Sequence, residues 1–222
     1  MPEPGRTRLS KAAVVERGLA LADAEGLEAV TIRRLAANLG VTPMALYWHF
    51  RSKDELLVGL ADQVWAEIDV DVDPQAHWAV QLRGLLESLV RVLRAHPSAS
   101  QLLLSGEKRT CEPAMIANEV ALEVLHHAGF DPEHAAAIAR NALFTGIMLV
   151  MNEPGFELGL TGAELAEHQR LDRVRLSLLP PDKFPRLIEA AVPMTACDNA
   201  DFHYQFGIDL FVAGVQALAP NA

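Results

Sequence analysis

The chain has 222 residues, of which 50% are hydrophobic and 22% charged, a balance that excludes extended disorder and supplies enough apolar surface for a core without disulfide or metal staples. A net charge of -10 opposes nonspecific adhesion to DNA or anionic lipid. That charge is unevenly placed: residues 1–53 hold eight Lys/Arg against five acids, or +3, and the remainder carries -13, so a small basic unit precedes a large acidic one, as expected when only the first meets a polyanion.

Helix punctuation recurs from Ser10 onward and alternating β-branched runs are nearly absent, which predicts an all-α fold. Ser10 caps a first helix that stops before Gly26 and buries Val14, Gly18, Leu21 and Ala22. Thr31 caps a short second one with Leu35, Ala36 and Leu39 inward, ended by Gly40. Thr42 caps a third with Pro43 at its first position, where the missing N–H costs nothing. Ser52 and Glu55 form a capping box for a fourth, which carries Leu56, Leu60, Val64 and Ile68 in one stripe. "DVDVDP" at 69–74 ends it. Helical patterns follow around Trp78–His96, Pro113–His127, Pro132–Asn152, Ala163–Ser177 and Asp201–Leu218, with "EPGFELGLTG" and "LLPPDKFP" as loops.

The N-terminal "MPEPGRTRLSK" lacks the apolar stretch of a secretory signal, and "ALFTGIMLVM" at 142–151 is too short by itself to span a bilayer. A cytoplasmic protein with no membrane partner is the expectation. Cys111 and Cys197 match no redox or metal spacing and are expected to be structural thiols.

The segment "VTPMALYWHFRSKDELL" poses a specific question. On a helix that starts at Pro43, Leu46 and Phe50 share one face, while Pro43, Met44, Tyr47 and Trp48 lie mostly on the other, flanked by His49 and Lys53. A tightly packed bundle would bury both faces. A helix-turn-helix would instead leave the second face open for the major groove, and residues 32–49, with Gly40 in the turn, have the length of one.

The stretch "GLEAVTIRRLAANLGVTPMALYWHFRSKDELL" resembles the DNA-binding segment of the TetR family of transcriptional regulators. It matches the pattern G-(x)4-T-x-R-x-L-A-(x)3-G-V followed by L-Y-x-H-F-x-x-K-x-x-L-L, from Gly26 to Leu57. The resemblance implies an N-terminal three-helix helix-turn-helix domain over 1–52 and a larger helical ligand-binding and dimerisation domain over 53–222, joined by a linker helix at 53–68. It implies a double-stranded DNA operator as partner, with Arg33 reaching a guanine, Thr42, Pro43 and Met44 at the tip of the recognition helix, Tyr47, His49 and Lys53 on phosphate, and Trp48 in either role. Arg34 is expected on a solvated face.

The C-terminal half is similar to the tetracycline repressor branch of that family, through "LRAHPS", "HHAGFDPEHA", "ALFTG" and the closing F-(x)2-G-I-D-L-F. Leucines of "SQLLLSG" stand where that branch places a ligand histidine, and Met151 stands near its glutamate, with Glu153 two residues off. A more apolar small-molecule effector follows, with Leu85, Leu89, Leu103, Leu143, Ile147 and Met151 as lining residues, each equally suited to plain core. The small residues Ala135, Ala139, Ala142 and Gly146, and Gly207, Ala213 and Gly214, allow close helix approach, which by itself suits ordinary core packing more often than an interface. As part of the resemblance, they point to a homodimer bundle built from the last two long helices.

No zinc or cofactor motif is present. His126 and His127 point about 100° apart on a helix, which suits the C-terminal end of a dipole better than a metal. Hydrolase, P-loop, dinucleotide and zincin signatures are missing, so the chain is not expected to be an enzyme. The predicted function is a ligand-responsive repressor released from a palindromic operator. The alternative is a helical small-molecule-binding or adaptor protein without DNA recognition.

Overall fold

The computed structural model describes residues 9–104, 111–153, 162–195 and 200–220, and within these the chain is entirely helical. The head comprises α1 (Lys11–Glu25), a single 3₁₀ turn, α2 (Ile32–Asn38) and α3 (Pro43–Tyr47). Then α4 (Lys53–Glu67) leads into α5 (Trp78–Ala95), α6 (Ala99–Leu104), α7 (Glu112–His127), α8 (Pro132–Met151), α9 (Gly162–Ser177), α10 (Pro185–Glu189), α11 (Ala191–Thr195) and α12 (Ala200–Leu218). The short helices α6, α10 and α11 were not anticipated. Each is a turn or two long, too short for apolar periodicity to register. Cys197 and most of the "EPGFELGLTG" loop lie outside the described residues, whereas Cys111 is a free, half-buried thiol.

The predicted caps form. The side chains of Ser10, Thr31, Thr42 and Ser52 accept hydrogen bonds from the backbone N–H groups of Ala13, Arg34, Ala45 and Glu55 at 3.1–3.3 Å. The return half of the capping box lands one residue early: Glu55 Oε2 accepts from the N–H of Arg51 at 2.6 Å rather than from that of Ser52. Between α2 and α3 the chain reverses at Gly40, whose φ of +65° few residues other than glycine tolerate. There the N–H groups of Gly40 and Val41 close back on the carbonyls of Ala37 and Ala36.

The stripe of α4 is buried as predicted, with Leu56, Leu60, Val64 and Ile68 all shielded from solvent. It belongs to one apolar cluster that extends from Val14 and Leu35 in the head to Leu89, Leu103 and Ile208 in the body. Close packing of α1 on α4 depends on two glycines. A Cβ on Gly18 would stand 3.0 Å from Leu60, and one on Gly59 would stand 3.0 Å from Phe50.

The small residues of the long helices serve the same purpose inside the subunit. A Cβ on Gly146 would lie 2.7 Å from Leu89 of α5, and one on Gly207 would overlap Leu149 of α8. Helix α8 extends "ALFTGIMLVM" back to Pro132, and at 20 residues it is long and apolar enough by composition to cross a membrane. Here it packs on α5, α7 and α12 instead, burying Ile138, Ile147 and Val150. The OH of Tyr204 on α12 donates to Glu153, just past the end of α8, at 2.7 Å.

One polar cluster ties the head to the body. His96, in the turn between α5 and α6, places Nδ1 2.7 Å from Asp23 of α1 and Nε2 2.9 Å from Glu67 of α4. Ser98 donates its hydroxyl to the other Asp23 oxygen at 2.7 Å. Burial opposes the imidazolium, but the hydrogen bonds and charges of Asp23 and Glu67 together outweigh it and raise the His96 pKa. Because the folded value lies above the unfolded one, the stabilisation is complete below about pH 6.5 and fades as pH rises through the raised folded pKa. Urea unfolding of the wild type and of His96→Gln should therefore differ most near pH ~6 and converge toward pH ~9. A difference independent of pH would leave the imidazole charge without a role.

Candidate nucleic-acid interface and effector cavity

Five residues cannot bury two faces of a helix. In α3 the inner face is taken by Leu46, with Phe50 just beyond, both 0% exposed, and the outer face by Met44, Tyr47 and Trp48 at 67%, 48% and 86%. Thr42 and Pro43 are exposed at the helix N-terminus, and His49 is half-buried beside it. Large apolar side chains held this open by a helix capped before and after are costly for solubility and suit a partner surface.

Positive charge surrounds this tip. Arg33 is exposed on α2. Lys53 begins α4, with only a loose 3.9 Å pairing to Glu28. Lys11 lies over the Phe50 ring at 5.2 Å from its centroid. Arg34 is exposed on a solvated face, as expected, and there it also pairs with Glu25 at the end of α1, because the turn after Gly26 folds α2 back beside α1. Its charge is spent on bracing the head. Thus Arg33, Thr42, Pro43, Met44, Tyr47, Trp48, His49 and Lys53 sit in and around one short helix and its two flanks.

A second feature lies in the body, where a small apolar cavity of about 60 Å³ opens between α4, α5, α7 and α8. Leu85, Leu89 and Leu143 line it as anticipated, together with Trp65, Ile68 and Asn118. Leu103, Ile147 and Met151 do not. Leu103 is on α6 and fully buried, Ile147 is likewise sealed, and Met151 packs half-buried against the main core. The close approach of α8 to α5 at Gly146 accounts for the last two, since it shuts the space one turn after Leu143. Trp65 is not among the lining residues expected from the sequence, although an indole on the buried side of α4 was an available signal.

Glu153, the carboxylate nearest the metal-chelating position of the tetracycline repressor branch, is engaged by Tyr204. His126 and His127 are exposed in the last turn of α7, with His127 3.4 Å from Glu123. Among the described residues, no three His, Cys, Asp or Glu side chains gather as a metal site.

The chain matches known proteins along nearly its whole length. The family model for bacterial regulatory proteins of the tetR family matches residues 14–60, and the tetracyclin repressor-like C-terminal domain matches residues 72–219. The class E tetracycline repressor protein of Escherichia coli is 28% identical over 212 residues, covering 95% of this chain and 92% of that protein. The HTH-type transcriptional repressor DrrR1 of Streptomyces coeruleorubidus is 29% identical, covering 92% and 76%. Among solved structures, the TetR family protein ActR of Streptomyces coelicolor, in complex with actinorhodin, superposes with a TM-score of 0.82 at 27% identity, covering 96% of this chain and 98% of ActR. With a matching head, a matching body and an exposed recognition helix between basic flanks, the chain belongs to the TetR family of bacterial regulatory proteins and is a DNA-binding regulator of transcription.

Proposed function

We propose that this ligand-responsive repressor works as a homodimer whose two heads enter successive major grooves of a pseudo-palindromic operator, and that an effector in the cavity releases it. The observation that carries the reading is the outward display of Met44, Tyr47 and Trp48 on α3. The head spans 1–52 and the body 53–222, with α4 belonging mechanically to both. Arg33 supplies the base-reading contact, Thr42, Pro43 and Met44 meet base edges or thymine methyls, and Tyr47, His49 and Lys53 hold phosphate. Catalysis has no part in this reading.

The dimer face is assigned to α12 and α8. Phe206, Leu210 and Leu218 are exposed on α12, Met148 is exposed on α8, and a groove between the two helices is lined by Phe144, Met148 and His203. Such a continuous apolar face suits a second copy of the chain. Phe206→Glu should leave the subunit folded and shift it to monomer in sedimentation. A dimer of undiminished stability would place the interface elsewhere.

The effector's leverage lies in α4, since Trp65 and Ile68 wall the cavity while Leu60 fills the space over Gly18 in the head. A ligand that favours one setting of α4 changes the spacing of the two heads. The test is operator binding on the protein's own promoter across a salt series. Arg33→Ala should relax sequence choice by ~1–3 kcal/mol at one base pair, whereas Lys53→Ala should weaken all sequences alike and reduce the salt slope by about one. Trp48→Ala should leave thermal stability within ~0.5 kcal/mol and still reduce DNA affinity. Salt-insensitive or absent binding would favour the adaptor reading instead.

A further inference from the structure

Trp65 is only 6% exposed, and its indole Nε1–H is shielded from solvent with no acceptor among the described residues. Buried donors are nearly always paired, and the indole nitrogen can only donate. Folding has therefore left this group short of a partner at a residue that forms part of the cavity wall. An orphan donor in a sealed core would be a plain defect. An orphan donor on a ligand cavity is a socket for an acceptor.

The rest of the wall narrows what that acceptor belongs to. The side chains of Leu85, Leu89, Ala142 and Leu143 offer no polar atoms, and among the described residues no charged side chain lines the cavity. Asn118 lines it too, but its amide Nδ2 donates to the carbonyl of Ala114 on its own helix at 2.8 Å. What remains for a ligand is one strong donor, on Trp65, and the amide oxygen of Asn118 as an acceptor. A carboxylate, phosphate or ammonium entering this site would lose hydration without gaining a countercharge.

We propose that Trp65 is the specificity-determining residue of the effector site, and that the effector is a neutral, mainly apolar molecule whose carbonyl or ether oxygen accepts the Trp65 N–H. The proposal rests on the cavity being the effector site. A site built around an otherwise unmet donor discriminates strongly against an isostere lacking the acceptor, because binding that isostere seals the donor in unpaired. Trp65 also lies on α4, so the hydrogen bond joins the ligand to the helix that reaches the head, without an intermediary.

Two matched pairs of probes isolate the oxygen: 9-fluorenone against fluorene, and 1-indanone against indane, each pair differing by a carbonyl in place of a methylene. Affinities are measured by calorimetry on the full-length protein and on Trp65→Phe, which keeps an aromatic ring but removes the N–H. The ketones should bind wild type about tenfold more tightly than Trp65→Phe, and the hydrocarbons should bind both alike, which also certifies that the variant is folded. In ¹⁵N-tryptophan-labelled protein, the indole resonance missing from Trp65→Phe should move downfield with ketone and not with hydrocarbon. Equal ketone affinity for the two proteins, or an unmoved resonance, overturns the role of Trp65 while leaving the cavity as a binding site. If no probe of either size binds, or if Ala142→Trp, placed to fill the cavity, leaves binding unchanged, the cavity reading falls and the proposal falls with it.

Discussion

Leu60 of α4 packs over Gly18 of α1 in the head, and Trp65 and Ile68, one to two turns later on the same helix, wall the cavity in the body. A rigid helix with side chains committed at both ends cannot adjust one end alone. Protein interiors are close-packed, so a shift at Trp65 must be accommodated by repacking or passed along the axis. Gly18 and Gly59 make the contact unusually tight by admitting Leu60 and Phe50 against backbone. Phe50 is in turn one of the two side chains that seat α3 in the head. The same packing that joins α4 to the cavity therefore also fixes which face of α3 is turned outward.

Electrostatics reinforces this linkage at a second point. His96 stands in the α5–α6 turn and grips α1 through Asp23 and α4 through Glu67, so three elements of the head–body junction share one imidazole. With a carboxylate on each ring nitrogen, the cluster is satisfied only when that ring carries its proton. Deprotonation leaves one nitrogen facing a carboxylate as acceptor against acceptor. The local geometry thus makes part of the stability of the head–body junction a function of proton activity, separately from any ligand.

The sequence displays this architecture unevenly, for reasons of chemistry. Ser10, Thr31, Thr42 and Ser52 announce helix starts because a capping hydroxyl acts within three residues, so its effect is visible locally; the outward face of α3 follows from its length once Leu46 and Phe50 are assigned inward. What lay hidden were arrangements set by distant contacts. Leu103, Ile147 and Met151 share the composition of cavity-lining residues; burial on α6 removes the first, and the approach of α8 to α5 at Gly146 puts the other two in the core. The glycine and alanine rows of α8 and α12 likewise permit close packing without naming the partner, and Gly146 and Gly207 spend theirs within the subunit. Arg34 and Arg33 are neighbours of identical type, yet Glu25, nine residues before Arg34, binds only that one.

The free energy needed to operate such a device is modest compared with what the cavity offers. A hundredfold weakening of operator binding requires the effector to prefer the released conformer by about 2.7 kcal/mol. At ~25 cal/mol per Å² this is the burial of roughly 110 Å² of additional apolar surface, less than one large side chain. A hydrogen bond formed in only one conformer would add to it. No wholesale rearrangement of the body is required. By linkage, operator DNA must weaken the effector by the same factor, so a cavity this apolar can hold its ligand tightly in free protein and still yield it to DNA.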